Sequence, residues 1–369
     1  MSIFDRKPAL RWVAPLAFVA IVGGTTGIVA TATADNKLPE ISAQDLLVKL
    51  QQADVDTLSG TVVQNADLGI PALPGMGGSD DASLSSLVSG THTLGVWYSG
   101  PDKARLQVQG TNDESDIIVN GQDMWTWSYK DNTATHRTLT RPSKDQRADQ
   151  PRDLPADLPK TPQEAAQRAL EALEPTTDVT TSGTAEVAGI DAYELVLTPN
   201  TKDSLITSVR IAVDGKRFIP LRVQVIAGQP KPAFEVAYST ISFDQPDDAQ
   251  FTFNAPPGAK VTEVAPPKAE APSKKELENR KAEVEDKADD VKVVGEGWST
   301  VVVSDFDAAG ADQAKGQLGP ILESLPKVSG TWGSGRLLSG TAFSAVLTDD
   351  GRVAVGSVKP ELLYKALEK

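Results

Sequence analysis

The sequence predicts a mainly antiparallel β protein, built around one large, curled sheet of about a dozen strands and ending in a small C-terminal α+β domain. The first observation is the alternation of apolar and polar residues in short runs between residues 91 and 253. The second is the Gly, Pro, Asn and Asp pairs between these runs, which are typical of hairpin turns. The third is the scarcity of helical patterns in the same region. Alternation gives a sheet one apolar face and one polar face, so other parts of the chain have to pack on the apolar face.

The first 34 residues have the layout of an export signal. Three basic residues among the first eleven precede an apolar stretch at residues 12–22, and small residues follow as far as Ala34. One interpretation is a signal peptide that is cleaved after Ala34. The alternative is an uncleaved N-terminal membrane anchor, because residues 13–34 are just long enough to span a bilayer. Both predict an extracytoplasmic body, either secreted or tethered to the outer face of the cytoplasmic membrane by residues 12–34.

The overall composition narrows the classes of partner. The 369 residues contain 36 Lys and Arg against 50 Asp and Glu, which gives a formal net charge of -14. An acidic chain of this kind repels phosphate backbones, so we expect no nucleic-acid partner. The sequence has no cysteine, which excludes disulfides, thiolate chemistry and a lipid-modified thiol. We expect no cofactor and no metal, and stability has to come from packing.

The elements before residue 140 begin with a helix. Residues 42–53 combine a capping box at Ser42 and Asp45 with one leucine-rich face. Strands separated by tight turns follow, except that residues 69–89 form a loop rich in Gly, Pro and Ser that is long enough to act as a lid. The predicted strands are residues 58–64, 93–99, 103–110, 115–119, 123–130 and 134–139.

A polar, Pro-rich connection at residues 140–160 leads to a second helix, whose first turn contains Thr161, Pro162 and Glu164. Six further runs alternate as strands do and complete the large sheet. These predicted strands are residues 179–187, 192–198, 206–213, 219–226, 233–243 and 250–253. We therefore assign residues 35–261 to one β domain.

The composition changes after residue 261 to Pro, Ala, Lys and Glu, which predicts a linker and a solvated, charged helix over residues 262–291. Residues 292–369 are predicted to form the small α+β domain. Its elements are a strand at 298–303, a helix at 308–325, a hairpin at 342–358 that turns at 349–351, and a last helix that begins at Pro360. The glycine-rich run 333–336 is predicted to be a turn.

The predicted sheet has more apolar surface than its helices can cover. About a dozen strands of about 20 Å, at a spacing of about 4.8 Å, give an apolar face on the order of 1000 Å². Two helices of about 12 residues cover roughly 400 Å² of it. Curvature and the loops at 69–89 and 140–160 have to enclose the rest. The result is either a collapsed core or a cavity for an apolar ligand.

Aromatic residues are the first candidates for the wall of such a cavity. Trp125, Trp127 and Tyr129 lie on one side of a predicted strand, either as a core face packed on a helix or as the wall of a lipid-sized cavity. The same two interpretations apply to the other apolar residues of the alternating strands. The candidate ligand-binding residues of the cavity wall are Trp97, Leu106, Val108, Trp125, Trp127, Tyr129, Leu195, Leu197, Val223, Phe234 and Tyr238.

The sequence offers little from which a catalytic site could be built. Its two histidines, His92 and His136, lie in polar strands without a partner motif nearby. It contains no nucleophile elbow, P-loop, His-Glu-x-x-His pattern or EF-hand loop. Paired acidic residues fall in predicted loops and turns, where solvation explains them. We therefore expect no enzyme activity, and an envelope hydrolase is the weakest of three functional hypotheses.

Three parts of the β domain carry recognisable motifs. Residues 116–127 read Asp-Ile-Ile-Val-Asn-Gly-Gln-Asp-Met-Trp-Thr-Trp, and residues 187–199 contain Val-x-Gly followed by Tyr-x-Leu-x-Leu-x-Pro. Residues 211–225 and 243–258 include Phe-Thr-Phe and Pro-Pro-Gly near their end. These motifs resemble the strand pairs and the ending of the LolA, LolB and RseB-like group of bacterial lipoprotein-localisation and sensing proteins. The resemblance covers residues 42–260.

This resemblance implies an unclosed half-barrel of about 11 to 12 strands with helices across its opening. It also implies that lipid, or the acyl chains of an acylated protein, binds on the concave apolar face without catalysis. The first functional hypothesis is therefore an extracytoplasmic lipid or lipoprotein carrier. The alternative is an RseB-like envelope sensor or regulator that acts through a membrane protein, such as an anti-sigma factor. The loop at 69–89 and the domain after residue 292 depart from the carrier pattern.

Overall fold

The structure is a computed structural model, and it describes residues 38–69, 82, 86–87, 89–110, 113–139, 175–264, 291–305 and 323–368. Several predictions lie outside these residues. They concern the N-terminal signal or anchor, most of the loop at 69–89, the helix that starts near Thr161, the charged helix after residue 273 and most of the helix at 308–325. Within the described ranges, no helix has both the length and the apolar character needed to cross a membrane.

The first helix, α1 (Ala43–Gln52), begins where the sequence predicts because Ser42 caps it. The Ser42 hydroxyl accepts a hydrogen bond from the Asp45 main-chain N–H at 3.0 Å and donates one to the Asp45 carboxylate at 2.7 Å. The first of these bonds satisfies an N–H that the first turn of a helix otherwise leaves unpaired. Leu46 is fully buried and packs with Leu195. Helix α1 therefore lies on the large sheet.

Twelve strands form the large sheet that the sequence predicts. They are β1 (Thr57–Ala66), β2 (Gly90–Ser99), β3 (Lys103–Gln109), β4 (Glu114–Asn120), β5 (Asp123–Ser128), β6 (Thr133–Thr138), β7 (Thr177–Val187), β8 (Ile190–Pro199), β9 (Ser208–Asp214), β10 (Pro220–Ile226), β11 (Phe234–Ser242) and β12 (Lys260–Val264). Their order is β12-β6-β5-β4-β3-β2-β1-β11-β10-β9-β8-β7. Neighbours are antiparallel except β12 and β6, which are parallel. The end strands β7 and β12 do not pair with each other, so the curled sheet stays open.

Two segments at the end of this sheet differ from their prediction. Residues 250–253, predicted to be a strand, lie instead in and just after a 3₁₀ helix at Asp248–Phe251. Asp247 caps this helix by accepting a hydrogen bond from the Ala249 N–H at 2.9 Å, and the alternation of so short a run does not reveal such a turn. Residues 261–264, predicted near the start of the linker, belong to β12 and pair with β6.

A second sheet of six strands follows residue 290. Its strands are β13 (Val291–Val294), β14 (Val301–Asp305), β15 (Lys327–Gly330), β16 (Gly333–Ser339), β17 (Ser344–Thr348) and β18 (Arg352–Gly356), in the order β13-β14-β18-β17-β16-β15. Helix α2 (Pro360–Leu367) packs its buried Leu363 against Val301 and Val346 of this sheet. The predicted hairpin that turns at 349–351 and the predicted last helix are confirmed.

The glycine-rich run 333–336 belongs to β16, so the turn predicted there is wrong. A Cβ atom on Gly335 would lie 2.3 Å from the main-chain oxygen of Leu347 in β17. Glycine here permits two backbones to approach closely, a use that a single sequence does not distinguish from a turn. The strand predicted at 298–303 begins later, at Val301, and runs to Asp305, because a 3₁₀ turn at Gly297–Ser299 precedes β14.

The strand register divides the large sheet into two faces of different chemistry. On the inner face, Val62 of β1 lies opposite Leu94 of β2, which lies opposite Val108 of β3. Their immediate neighbours in sequence point to the outer face, where Trp97 of β2 lies opposite Arg105 of β3. The inner face is the apolar one, and both α1 and the second sheet pack on it.

Main-chain hydrogen bonds join the second sheet to the large sheet at two places. The Leu205 N–H donates to the Ser357 oxygen at 2.9 Å, and the Thr341 N–H donates to the Leu68 oxygen at 2.7 Å. Between them, Ala342 is buried in an apolar cluster with residues of β9 and β10. These contacts fix the second sheet over a part of the inner face that α1 leaves uncovered.

We expect Leu46→Ala to lower the free energy of unfolding by about 2–5 kcal/mol, because it removes a fully buried side chain and leaves a void beneath α1. Gln51 is exposed on the same helix, so Gln51→Ala serves as control and should change stability by less than about 0.5 kcal/mol. Urea denaturation followed by circular dichroism measures both. Equal effects of the two substitutions would contradict the packing of α1 described above.

Candidate functional site

An apolar cavity of about 950 Å³ lies between the large sheet, the end of α1 and the second sheet. Its floor is the inner face of five strands, β1 and β8 to β11. The floor residues are Leu58, Val62, Leu197, Val209, Ile211, Pro220, Leu221, Val223, Val225, Val236 and Tyr238. Most of these are β-branched residues or leucine, which the alternation of the strands directs to the same side.

The walls of the cavity come from two other parts of the chain. Residues 50–55 at the end of α1, together with Tyr98 of β2, form one wall. The second sheet and the segment before it form the opposite wall. The lining residues on that side are Gly297, Trp298, Thr300, Val302, Phe343, Val355, Gly356 and Ser357. The cavity therefore exists only because the second sheet docks on the first.

Trp298 is the largest side chain of the second wall, and its position is fixed at both ends. Its indole N–H donates to the Thr177 hydroxyl of β7 at 2.7 Å. Its backbone lies in the turn at Gly297–Ser299, where Gly297 has φ +52° and a Cβ would lie 2.7 Å from the Thr176 hydroxyl. Glycine is therefore required for this approach. A tryptophan held in this way supplies apolar area with few rotamers left to freeze on binding.

The polar groups on the cavity wall are mainly hydroxyls. Burial raises the pKa of the Tyr238 hydroxyl above its ordinary value, so this group stays neutral at physiological pH. The buried Thr300 hydroxyl has no hydrogen-bond partner in the described structure. Such a group is rare in protein interiors, and a ligand with a carbonyl or hydroxyl oxygen would satisfy it. No histidine lies among the described lining residues.

The cavity opens at a rim that the exposed lining residues identify. These are Asp54 after α1, Pro220 at the start of β10 and Val355 of β18. Val355 is one of the few large apolar side chains that the described residues expose, at 37 %. The rim therefore combines apolar side chains with one carboxylate.

A family model described as "Predicted periplasmic protein (DUF2092)" matches residues 80–265, which is half of the chain. This chain belongs to the DUF2092 family. The match includes β2 to β12 and ends before the second sheet begins. The floor of the cavity is therefore mostly inside the family region, whereas the wall around Trp298 lies outside it.

Several solved structures are similar to this DUF2092 member. MucB in the Pseudomonas aeruginosa MucA/MucB complex is 15% identical, over 88% of this chain and 96% of that chain, with a TM-score of 0.42. A LolA superfamily protein from Nitrosomonas europaea is 14% identical, over 58% and 99%, with a TM-score of 0.22. A conserved protein from Thermus thermophilus is 11% identical, over 61% and 100%, with a TM-score of 0.34. A LolA superfamily protein is thus among the structures that the chain resembles, as the motifs in its sequence indicated. These distant similarities carry no inference about ligand or partner. No curated protein matches the sequence.

Seven of the eleven candidate cavity-wall residues lie on the inner face of this DUF2092 member. Leu197, Val223 and Tyr238 line the cavity. The other four are covered by different parts of the chain. Ala82 and Leu87 pack on Leu106 and Val108, α1 packs on Leu195, and the cluster around Ala342 packs on Phe234. Ligand binding at all of these positions stays a prediction.

The remaining four candidates are not brought to the cavity. Trp97, Trp125 and Trp127 point to the outer face, and Tyr129 lies beyond the end of β5 with 63 % of its surface exposed. The ring centroid of Phe253 lies 4.9 Å from that of Trp125 and 5.8 Å from that of Trp127. Alternation correctly placed the two tryptophans of β5 on one side, but it does not say which face of the sheet that side is.

Sequence reasoning missed the lining residues that the second sheet contributes. Trp298, Phe343 and Val355 belong to a segment that was predicted only as a separate small domain. No local pattern marks them as cavity residues, because their role depends on how two sheets dock. Their apolar character alone is equally consistent with the core of the second sheet.

His136 joins three strands on the outer face, although the sequence showed no partner for it. Its Nδ1 lies 2.8 Å from the Glu263 carboxylate of β12, and its Nε2 lies 2.8 Å from the Asp123 carboxylate of β5. Its ring stacks on Trp125 with centroids 4.2 Å apart. Partial burial lowers the pKa of His136, but the hydrogen bonds and negative charges of the two carboxylates outweigh it, so the pKa is raised. His92, in contrast, is buried and lies 2.9 Å from the Ser89 oxygen.

We expect His136→Gln to destabilise the protein more at about pH 5 than at about pH 8.5. Because the folded-state pKa of His136 is raised, its charged form contributes stability below the ordinary histidine pKa, and this contribution is lost as the pH rises through the raised value. Denaturant unfolding of both proteins at the two pH values measures the difference. Glu263→Gln, which removes one carboxylate partner, should reduce the pH dependence, and an equal loss at both pH values would contradict this role.

We expect Trp127→Ala to lower the free energy of unfolding by about 3–5 kcal/mol, because the ring is buried against Phe253. While the protein remains folded, uptake of an apolar fluorescent probe by the cavity should not change, since Trp127 lies on the opposite face. Tyr129→Ala is the control and should alter neither quantity. Loss of probe uptake by folded Trp127→Ala would show that the outer-face assignment is wrong.

Proposed function

We propose that this protein is an extracytoplasmic lipid-binding protein of the carrier type, which holds the acyl chains of a lipid or of an acylated protein between its two sheets. The observation that carries the proposal is the cavity of about 950 Å³ with an almost entirely aliphatic and aromatic lining. A preformed cavity of this size and chemistry is typical of sites for apolar ligands. A collapsed core, the other outcome expected from the sequence, would leave no such space.

The energetics of the cavity suit a hydrocarbon chain. Each methylene group that leaves water contributes about 0.8 kcal/mol, so one long acyl chain gains about 10 kcal/mol before the costs of association. The floor strands are held in register by neighbours on both sides, and Trp298 is fixed by its bond to Thr177. Little of the binding free energy is therefore lost in ordering the site.

The lining supports binding without catalysis. Its described polar residues provide hydroxyls, the carboxylate of Asp54 and the guanidinium of Arg222, but no imidazole that could act as a general base beside them. His136 binds two carboxylates on the outer face, and His92 is buried beside Ser89. In the part of the chain that the structure describes, no group of three His, Asp or Glu side chains is placed to hold a metal ion.

A location outside the cytoplasm is part of the proposal. The family to which the chain belongs is described as one of predicted periplasmic proteins. The first 34 residues have the pattern of a signal peptide or an N-terminal anchor, and both would place the cavity in the envelope. An RseB-like regulator with a membrane protein partner stays the alternative, and recovery of a stable membrane protein with the tagged chain would favour it.

We expect Val223→Trp to reduce lipid binding at least about tenfold, because the indole would occupy the centre of the cavity floor. Gln224→Trp is the matched control, since the adjacent residue points to the outer face and should leave binding unchanged. Mass spectrometry of co-purified lipid and uptake of a fluorescent fatty acid measure binding, and circular dichroism confirms folding.

A second variant that fills the cavity tests the proposal independently in case Val223→Trp does not fold. Val302→Phe adds volume from the opposite wall, on a different sheet, and should also reduce binding. Full lipid binding by both folded variants, or the absence of any lipid in the wild-type protein, would overturn the proposed function.

A further inference from the structure

The charge around the cavity differs from that of a site built for an anionic lipid. Only two described lining residues carry a charge, Asp54 and Arg222. Arg222 alternates with Val223 along β10, so its side chain leaves toward the outer face, where its Nη2 donates to the Glu194 carboxylate at 2.9 Å. The buried Nε of Arg222 has no partner in the described structure, yet the charge of the guanidinium is already balanced by Glu194. The described lining therefore offers no free cation to a phosphate or carboxylate.

The rim adds a charge of the wrong sign for an anionic headgroup. Asp54 is exposed there, on a chain whose net charge is -14. An anionic headgroup at the rim would meet a like charge, and one drawn inside would be buried without a counter-ion. Both arrangements cost free energy. Neutral oxygens are better matched, because the Thr300 hydroxyl is buried and unpaired, and the Tyr238 hydroxyl also stays neutral.

The volume of the cavity indicates how much hydrocarbon it holds. A methylene group is about as large as a water molecule in the liquid, about 30 Å³. A cavity of about 950 Å³ then accommodates about thirty methylene groups, which corresponds to two acyl chains of ordinary length. A single chain would leave about half of this apolar space unfilled, and unfilled apolar space forfeits dispersion contacts on all sides.

We infer that the cavity selects an uncharged lipid with two acyl chains, a diacylglyceryl unit with a hydroxyl or sugar head, over anionic phospholipids and fatty acids. The inference rests on the proposed function and adds the class of ligand. The uncharged head lies at the rim or meets the Thr300 hydroxyl, and the two chains fill the space between the floor strands and Trp298. The same unit occurs as free lipid or attached to an acylated protein, and mass spectrometry of the bound material separates these sources.

The test compares four lipids on the full chain after removal of co-purified lipid. Phosphatidylcholine vesicles carry trace dipalmitoylglycerol, dipalmitoylphosphatidylglycerol, monopalmitoylglycerol or palmitate, and transfer of each lipid to the protein is measured. We expect dipalmitoylglycerol to bind at least about tenfold more tightly than each of the other three, because the phospholipid and palmitate bring an unfavourable charge contact and the two single-chain lipids leave part of the cavity unfilled. Native mass spectrometry should show one dipalmitoylglycerol molecule per chain.

A charge variant at the rim tests the electrostatic part separately. Asp54→Asn should raise binding of dipalmitoylphosphatidylglycerol several-fold and leave dipalmitoylglycerol unchanged. Glu186→Gln makes the same change of charge at an exposed position outside the cavity lining and should alter neither lipid. Equal or tighter binding of the phospholipid by the wild type, or equal effects of the two variants, would overturn the selectivity for neutral lipid. Equal binding of monopalmitoylglycerol would overturn the two-chain assignment, and binding of no lipid at all would overturn the proposed function itself.

Discussion

The need to keep one apolar face of a twelve-stranded sheet away from water governs this structure. Among the described residues, α1 covers only the end of that face near Tyr193, Leu195 and Val213. The second sheet covers another part, and a short segment around Ala82 and Leu87 covers the region of Val62 and Leu94. These covers leave part of the inner face over β1 and β8 to β11 without side chains packed on it. The space left between them is the cavity, which is why its lining is apolar from every side.

Docking of the second sheet combines main-chain hydrogen bonds with apolar side-chain packing. The bonds from Leu205 to Ser357 and from Thr341 to Leu68 join main-chain atoms. Such bonds fix the distance between the sheets while side chains in between remain free to line a space. A purely apolar interface of the same extent would instead gain free energy by closing up until no void remained.

The sequence predicted β1 to β11 with bounds close to those observed, because alternation and turn residues are local signals, but it did not predict β12, β13, β15 or β16. It did not predict which residues share the cavity. Trp125 and Trp127 satisfy the same alternation as Leu106 and Val108, yet the register directs the two pairs to opposite faces. Register depends on pairing between strands, and a slip of one residue exchanges the faces. A glycine in a single sequence is consistent both with a turn and with a close contact between two backbones. Gly335 permits β17 to approach closely and does not lie in a turn.

The residues that line the cavity divide into those inside the region that the family model matches and those outside it. Most of the floor lies within residues 80–265, which the family model matches, whereas Trp298, Phe343 and Val355 lie beyond them. A chain with the same floor but without the second sheet would present an open trough, in which hydrocarbon stays partly in contact with water. Enclosure by the second sheet converts that trough into a cavity of defined volume, and volume is what distinguishes one acyl chain from two. Under the proposed function, the apolar floor provides affinity for hydrocarbon in general, and the docked second sheet sets how much of it fits.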